Sequence, residues 1–150
     1  MKLEFLIPHY KESAEVIESL LDSIAIQQNI DFNQIGAIIA YDGGEALKLP
    51  QTEWDTKYPF QIKHIHCEHN GVSATRNAAL DASTAEYVMF CDADDMFYNA
   101  CGLYIIFREI ENGGFVLLDY YTYLPYINLC VCYDKLGNSK LAYEYNEKAG

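Results

Sequence analysis

The chain has 150 residues, of which 51% are hydrophobic and 21% are charged. This is enough apolar material for the core of one domain, and it excludes an intrinsically disordered or fibrous protein. Ten basic residues against 22 acidic ones give a formal net charge of −12, which repels the phosphate backbone of nucleic acids. We therefore expect no nucleic-acid partner. An acidic protein that binds a phosphorylated small molecule needs a further source of positive charge, such as a divalent cation.

Cysteine usage and hydropathy indicate where the protein is found. Glu4 and Pro8 interrupt the apolar region that a signal peptide would need. Residues 115–133 are apolar, but Pro125, Asn128 and five tyrosines make them a poor transmembrane helix. We expect a cytoplasmic protein without a transmembrane segment, with peripheral association with the inner face of a membrane as an alternative. The five cysteines lack the spacing of a disulfide framework and indicate a reducing compartment; they are Cys67, Cys91, Cys101, Cys130 and Cys132.

Four short apolar runs, and one run at Gln61 to His66 in which polar and apolar residues alternate, predict five strands along the chain. Most of these runs are too short for helices, and the first ends in a proline, as the end of a buried strand can. The predicted strands are Leu3 to Pro8, Ile35 to Ala40, Gln61 to His66, Glu86 to Cys91 and Phe115 to Tyr123.

Three helices are predicted between these strands, and residues 45–60 are predicted to be a surface connection with at most a helical turn. The first helix is capped by Ser13 and stops near Gln28; its apolar stripe is Val16, Ile17, Leu20, Leu21 and Ile24. The second is capped by Ser73 and runs through Ala82. The third ends at Gly113-Gly114; its apolar face is Leu103, Ile106, Phe107 and Ile110.

The alternation of strands and helices predicts an α/β fold with a mostly parallel sheet, right-handed crossovers and helices on both faces. Two further strand-like runs, Ile127 to Tyr133 and Ser139 to Tyr145, flank a turn at Asp134–Asn138 and predict a C-terminal β-hairpin. We expect residues 1–150 to form a single domain. Because the chain ends just after this hairpin, we expect it to be a fragment of a longer protein.

Polar residues follow the first four predicted strands. Because the carboxyl ends of parallel strands meet at one edge of a sheet, where ligands bind in such folds, we expect these residues to form one rim. They are His9, Tyr10 and Glu12 after the first strand, Tyr41, Asp42 and Glu45 after the second, Asn70 and Gly71 after the third, and Asp92, Asp94 and Asp95 after the fourth.

The acidic run Asp92-Ala93-Asp94-Asp95 is the sharpest signal on this rim. Clustered carboxylates repel one another unless a hard cation or a hydrogen-bond donor neutralises them, and Mg²⁺ and Mn²⁺ prefer oxygen ligands. The run therefore indicates a metal that bridges to a diphosphate, with a solvated turn or helix cap as the alternative.

Four further features allow two interpretations each. Asp42 could accept the imide N–H of a pyrimidine or could belong to an Asp-Gly turn. Tyr10 could stack on that base or fill the rim of the sheet, and Arg76 could contact ribose or phosphate or lie at the surface. A group of four residues allows a zinc site or ordinary strand-end residues; they are His64, His66, Cys67 and His69.

Five segments together resemble the nucleotide-binding half of family 2 glycosyltransferases of the GT-A fold, over roughly residues 3–112. Several motifs in one order, with matching gaps, are more specific than any one alone. The segments are Ile7-Pro8-His9-Tyr10-Lys11-Glu12, Leu20–Gln27 with Ser23-Ile24 and Gln27, Asp42-Gly43, Asn70–Asn77 and Glu86–Asp95. The chain departs from the family pattern at Lys11, Tyr41, Gly44 and Thr75.

The resemblance implies a role for each matching residue. Pro8, Tyr10 and Glu12 match the segment that lines the base pocket, and Asp42 matches an aspartate that faces the pyrimidine. Arg76 matches the arginine of the helix that follows Asn-Gly. Asp92 and Asp94 match the D-x-D pair, the first toward the ribose and the metal and the second toward the metal, which is Mn²⁺ or Mg²⁺.

The implied activity is transfer of a sugar from a nucleoside diphosphate sugar, with uridine as the expected nucleoside, to a hydroxyl of a carbohydrate or glycolipid acceptor. The product would be a polysaccharide or glycoconjugate. Residues 3–112 would bind the donor, and residues 113–150 would begin an incomplete acceptor-binding part. No carboxylate after Asp95 matches the base that activates the acceptor, so we expect this chain to bind donor without transferring sugar.

Two alternatives to a transferase stay open. One is a truncated or degenerate donor-binding module that does not turn over. The other is a phosphatase of the haloacid dehalogenase type, which also uses an aspartate pair. That class needs its pair after the first strand and a hydroxyl residue two positions later, whereas here the pair follows the fourth strand and Met96 occupies that position.

Overall fold

The structure is a computed structural model that describes residues 1–44 and 48–112 with their side chains, and the backbone of residues 133–134. Its strands are β1 (Leu3–His9), β2 (Ile35–Asp42), β3 (Gln61–Cys67), β4 (Tyr87–Phe90) and β5 (Tyr133–Asp134). Its helices are α1 (Ala14–Ala25), α2 (Gln51–Lys57), α3 (Val72–Ala82) and α4 (Gly102–Glu111), and a single 3₁₀ turn precedes β2 at Phe32–Gln34.

The strands form one sheet in the order β3-β2-β1-β4-β5. β1, β2, β3 and β4 are parallel, with Leu3 opposite Ile35 at one end of the β1–β2 pair and His9 opposite Tyr41 at the other. β5 is antiparallel to β4. The carboxyl ends of the four parallel strands therefore meet at one edge of the sheet.

Helices cover both faces of this sheet, as predicted. Phe5 and Ile7 of β1 face a core built with α1, α2 and α4, whereas Leu6 between them faces the opposite core with α3. The alternation follows from the two-residue period of a strand, and both kinds of position are apolar because both faces are buried. The α/β class with a mostly parallel sheet is confirmed.

The apolar faces of two predicted helices are confirmed as well. In α1, Ile17, Leu20, Leu21 and Ile24 are buried. In α4, Leu103, Ile106 and Ile110 are buried, and Phe107 packs partly buried against the same core. Among the described residues, no helix is long and apolar enough to cross a membrane.

The helix that follows Asn70 begins one residue before the predicted cap. Gly71 is the N-cap of α3, with a positive φ of 91° that favours glycine, and its helix starts at Val72. Ser73 therefore lies inside the first turn, and the prediction that it caps the helix is wrong. The reason is the chain reversal at Asn70-Gly71, where the left-handed glycine already sets the direction of the helix.

The connection after β2 contains a full helix, α2, where the sequence predicted at most a turn. Two side-chain contacts hold α2 and its end against α1. The indole Nε1 of Trp54, which is completely buried, donates to Glu18 Oε1 at 2.8 Å, and the Tyr58 hydroxyl donates to Asp22 Oδ1 at 2.9 Å. Packing and these long-range bonds, rather than local propensity, stabilise the short helix.

The C-terminal region is described only at β5. Asp134, predicted to lie in a hairpin turn, is instead a strand residue opposite Tyr87, so that prediction is wrong. The physical reason is that the side of β4 away from β1 presents unpaired backbone groups, on which a further strand can form hydrogen bonds. The predicted strand Phe115 to Tyr123 and the rest of the predicted hairpin lie outside the described residues.

Candidate functional site

A pocket of about 550 Å³ opens at the carboxyl edge of the parallel strands. It brings together the seven residues to which the family resemblance gave a donor- or metal-binding role: Pro8, Tyr10, Glu12, Asp42, Arg76, Asp92 and Asp94. Of the other residues expected at this rim, Tyr41, Asn70 and Asp95 do not line the pocket, and Glu45 lies outside the described residues. His9, His69, Gly71, Val72, Thr75 and Ala93 complete its lining. The convergence follows from the parallel sheet, since each group comes from the end of a strand or from the helix after it.

The first wall of the pocket is the turn after β1. Pro8 is buried within the strand, and His9 is only 3% exposed. His9 Nε2 donates to the carbonyl oxygen of Glu12 at 2.8 Å, and the backbone N–H of Tyr10 donates to Glu12 Oε2 at 2.8 Å. Glu12 thus fixes this turn with its side chain and backbone, and it leaves the Tyr10 ring at the mouth of the pocket, 44% exposed.

The second wall is Asp42 at the end of β2. Its carboxylate is 5% exposed and uses both oxygens. Oδ1 accepts the backbone N–H of Asn70 at 3.0 Å, and Oδ2 lies 3.1 Å from Nδ1 of His69. The ring of His69 stacks on that of Tyr10, with centroids 4.7 Å apart and planes 10° apart. Asp42 therefore ties β2 to the chain reversal before α3.

Arg76 of α3 supplies a buried cation at the base of the pocket. Its side chain is about 8% exposed and forms an ion pair with Asp92 Oδ1. Its Nε is buried and, among the described residues, has no hydrogen-bond partner. A guanidinium that lines a pocket is well suited to an anionic ligand, because it is permanently charged and carries several N–H donors.

The N-terminus of α3 points at the same pocket, which Gly71, Val72 and Thr75 help to line. No side chain caps this terminus, and the Thr75 hydroxyl is committed to the carbonyl oxygen of Gly71 at 2.9 Å. The first backbone N–H groups of a helix lack intrahelical partners and carry the positive end of its dipole. This terminus therefore adds to the positive potential around Arg76.

The three carboxylates after β4 have different environments. Asp95 is 8% exposed and folds back to accept the backbone N–H of Asp92 at 2.8 Å, so it stabilises the turn. Asp92 pairs with Arg76. Asp94 is exposed and lines the pocket. The interpretation of the run as a turn thus applies to Asp95, whereas the other two carboxylates are available at the pocket.

The described residues contain no group of three or more histidine, cysteine or acidic side chains placed to hold a metal ion. Mg²⁺ is commonly bound through only one or two carboxylates, together with phosphate oxygens and water. Asp92 and Asp94 offer such a pair of oxygen donors, so the side chains present are compatible with a hard divalent cation.

The four residues considered for zinc separate into different environments. His64 bridges two other residues: its Nδ1 accepts the Tyr41 hydroxyl at 2.8 Å, and its Nε2 donates to Asp55 Oδ1 at 2.9 Å. His66 shares a strand face with His64, as predicted, and both rings stack on Tyr41. His69 lies instead at the pocket. Burial and the Asp55 charge raise the pKa of Tyr41, so its hydroxyl keeps its proton.

Two polar residues, Ser23 in the apolar face of α1 and Gln27 just beyond the C-terminus of that helix, anchor the segment that carries the carboxylates. Ser23 Oγ accepts the backbone N–H of Phe97 at 3.0 Å. The Gln27 amide donates to the carbonyl oxygen of Asn99 at 2.6 Å and accepts the backbone N–H of Leu103 at 2.9 Å. Sequence reasoning gave neither residue a role. The available signal was a pair of polar residues four apart, the first on an otherwise apolar helix face.

Comparison with known proteins assigns this chain to a family. The model of glycosyl transferase family 2 matches residues 4–129. An uncharacterized glycosyltransferase of Rickettsia conorii is 29% identical over 77% of the chain, and the minor teichoic acid biosynthesis protein GgaA of Bacillus subtilis is 31% identical over 78%. The chain spans only 18% and 27% of the length of these two relatives.

Solved structures support the same assignment. The S. aureus TarS 1–349 structure in complex with UDP superposes with a TM-score of 0.63 and 27% identity, over 75% of this chain and 32% of that one. The TarS 1–349 structure in complex with UDP-GlcNAc gives a TM-score of 0.62 and 25% identity, with the same shares of the two chains covered. The GT-A fold implied by the sequence resemblance is confirmed, and the chain belongs to glycosyl transferase family 2.

Proposed function

We propose that this chain binds a nucleoside diphosphate sugar, with uridine as the nucleoside, and that the protein transfers the sugar to an acceptor hydroxyl. One observation carries the proposal: an arginine that is largely buried and two carboxylates lie around one pocket. Its support from relatives is the UDP bound to TarS and the teichoic acid synthesis named for GgaA. The acceptor class we propose is a carbohydrate or glycolipid, in polysaccharide or glycoconjugate synthesis.

The diphosphate would lie between Arg76 and the N-terminus of α3. The guanidinium can donate hydrogen bonds to phosphate oxygens, and the backbone N–H groups of the first helical turn face the same space. These are the main local sources of positive potential among the pocket-lining residues, in a chain of net charge −12. Arg76 is held by Asp92, so the cation is oriented before the ligand arrives.

Asp92 and Asp94 would hold Mn²⁺ or Mg²⁺. Two carboxylates leave several coordination positions for the diphosphate and water, which is how Mg²⁺ usually binds to nucleotides in proteins. When bound, the cation would stabilise the negative charge of the departing diphosphate. Asp92 would therefore serve both Arg76 and the cation, whereas Asp94 would serve the cation.

The base would bind between Tyr10 and Asp42, at the other end of the pocket. Tyr10 offers an aromatic ring at the mouth of the pocket for stacking, and the Asp42 carboxylate can accept the imide N–H of uracil. Pro8 and Glu12 would shape this part of the pocket, the first through the strand and the second through the turn that it fixes.

The reaction would be a displacement at the anomeric carbon by the acceptor oxygen, with inversion of configuration as the sequence resemblance implies. A general base must then take the proton of the acceptor hydroxyl in the transition state. The described pocket residues have roles in donor binding, and we assign the base to none of them.

Isothermal titration calorimetry of UDP, with Mn²⁺ or with a chelator, tests this proposal. We expect UDP to bind more tightly with Mn²⁺, and Asp94→Asn to lose that gain. Glu86→Gln is a matched control, because it makes the same change of charge just before β4, at the opposite end of the strand. It should behave like the unaltered chain. Equal UDP affinity with and without the chelator would contradict the metal site, and no UDP binding under either condition would contradict the proposed function.

A further inference from the structure

We propose that His69 occupies the base-binding part of the pocket when no donor is bound, and that it must move aside for the base to enter. His69 would then reduce donor affinity without contacting the diphosphate. This inference rests on the proposed function, because it concerns the base of the same donor. His69 is not one of the residues expected to contact the ligand, and it would compete with the base for the same contacts.

The spacing of two aromatic rings is the first observation. The centroids of Tyr10 and His69 are 4.7 Å apart and their planes are nearly parallel. A base inserted between two rings needs two stacking distances, each about 3.5–4 Å between carbon atoms. The imidazole therefore covers the face of Tyr10 that it contacts, and a base can stack on that face only in place of His69.

The hydrogen bonds of Asp42 are the second observation. One carboxylate oxygen accepts the backbone N–H of Asn70, which belongs to the chain reversal before α3. The other oxygen pairs with Nδ1 of His69 at 3.1 Å. An imide N–H that approaches Asp42 therefore competes with His69 for the second oxygen. The same side chain thus blocks both contacts that a uracil would make.

His69 can be displaced at low cost. Its side chain is 58% exposed, whereas that of Asp42 is 5% exposed. The stacked contact of His69 with Tyr10 and its hydrogen bond with Asp42 are single contacts, each worth about a two- to tenfold change in an equilibrium constant. Displacing the imidazole therefore reduces donor affinity by a modest factor, while Asp42 and Tyr10 remain in place for the base.

The test compares UDP and inorganic pyrophosphate, both with Mn²⁺, by calorimetry on the full chain. His69→Ala should bind UDP roughly three- to tenfold more tightly than the unaltered chain, because it removes both competing contacts. Pyrophosphate has no base, so its affinity should not change. His66→Ala is the matched control: His66 is an exposed histidine of β3, three residues before His69, and its ring stacks on Tyr41 outside the pocket. It should leave both affinities unchanged.

A second variant separates the two contacts and protects the test against misfolding. His69→Phe keeps an aromatic ring but cannot pair with Asp42, so its gain in UDP affinity should be smaller than that of His69→Ala. Unchanged or weaker UDP binding in both variants, with pyrophosphate unaffected, would overturn the inference and leave the proposed function intact. If the unaltered chain binds pyrophosphate with Mn²⁺ but not UDP, the assignment of the base pocket fails, and this inference fails with it.

Discussion

Replacing Gln27 by leucine should destabilise the protein by about 1–4 kcal/mol, although Gln27 is not in the pocket. Leu103 is the second residue of α4, and its N–H, like others in a first helical turn, has no intrahelical partner. Gln27, two residues after the end of α1, accepts this N–H with its Oε1, and its Nε2 donates to the carbonyl oxygen of Asn99. Leucine fills a similar volume but leaves the buried N–H unpaired, which costs about 1–3 kcal/mol. The Asn99 carbonyl adds less, because its residue is exposed and can be hydrated.

Urea denaturation of both proteins, followed by circular dichroism, gives the free energy of unfolding. Gln28→Leu is the control, since the neighbouring glutamine is exposed, and we expect a change within about 0.5 kcal/mol. Gln27→Glu should also be destabilising, because it keeps the acceptor but loses the donor and buries a charge. A loss below about 1 kcal/mol for Gln27→Leu would show that the amide does not stabilise the start of α4.

Three further predictions concern the pocket and the α1–α2 contact. Asp42→Ala should weaken UDP binding by about tenfold or more and leave the affinity for pyrophosphate nearly unchanged, since a charged acceptor for the imide is worth about 1.5–3 kcal/mol. Equal losses of affinity for both ligands would show that Asp42 is structural. Asp92→Ala should lower the free energy of unfolding by about 1–3 kcal/mol, because Arg76 stays buried without its partner. Asp92→Asn should lower it less, and a larger loss for Asp92→Asn than for Asp92→Ala in thermal unfolding would contradict the ion pair. Burial raises the pKa of Tyr58 from 10.0 to about 12, so the contribution of Tyr58 to the free energy of unfolding is complete below pH 10 and is lost as the pH rises through about 12. Between about pH 9 and 12 the free energy of unfolding should therefore decline less in Tyr58→Phe than in the unaltered chain, and an identical decline would contradict this.

The order of elements and the position of the site could be predicted from sequence because both depend on short-range patterns. The run Leu3–Pro8 and its parallel partners are apolar on both faces, which is typical of buried strands. Once the strands are known to be parallel, the residues after them must share an edge. Asp42, Arg76 and Asp92 therefore converge, although they are far apart in the sequence.

The features that sequence reasoning missed depend on contacts between distant residues. The helix α2 is held by hydrogen bonds from Trp54 and Tyr58 to α1, and its sequence has no apolar periodicity that predicts a helix. The strand position of Asp134 depends on the open edge of β4. The contact of His69 with Tyr10 joins two turns, after β1 and after β3, which no spacing along the chain brings together.

A crystal structure of the chain with UDP and Mn²⁺ would show directly whether this pocket is the donor site. We expect the diphosphate against Arg76, with the metal between that group and the carboxylates of Asp92 and Asp94. We also expect the uracil on Tyr10 with its imide N–H at Asp42. Nucleotide bound away from this pocket, or a metal held without either carboxylate, would contradict the proposed donor site.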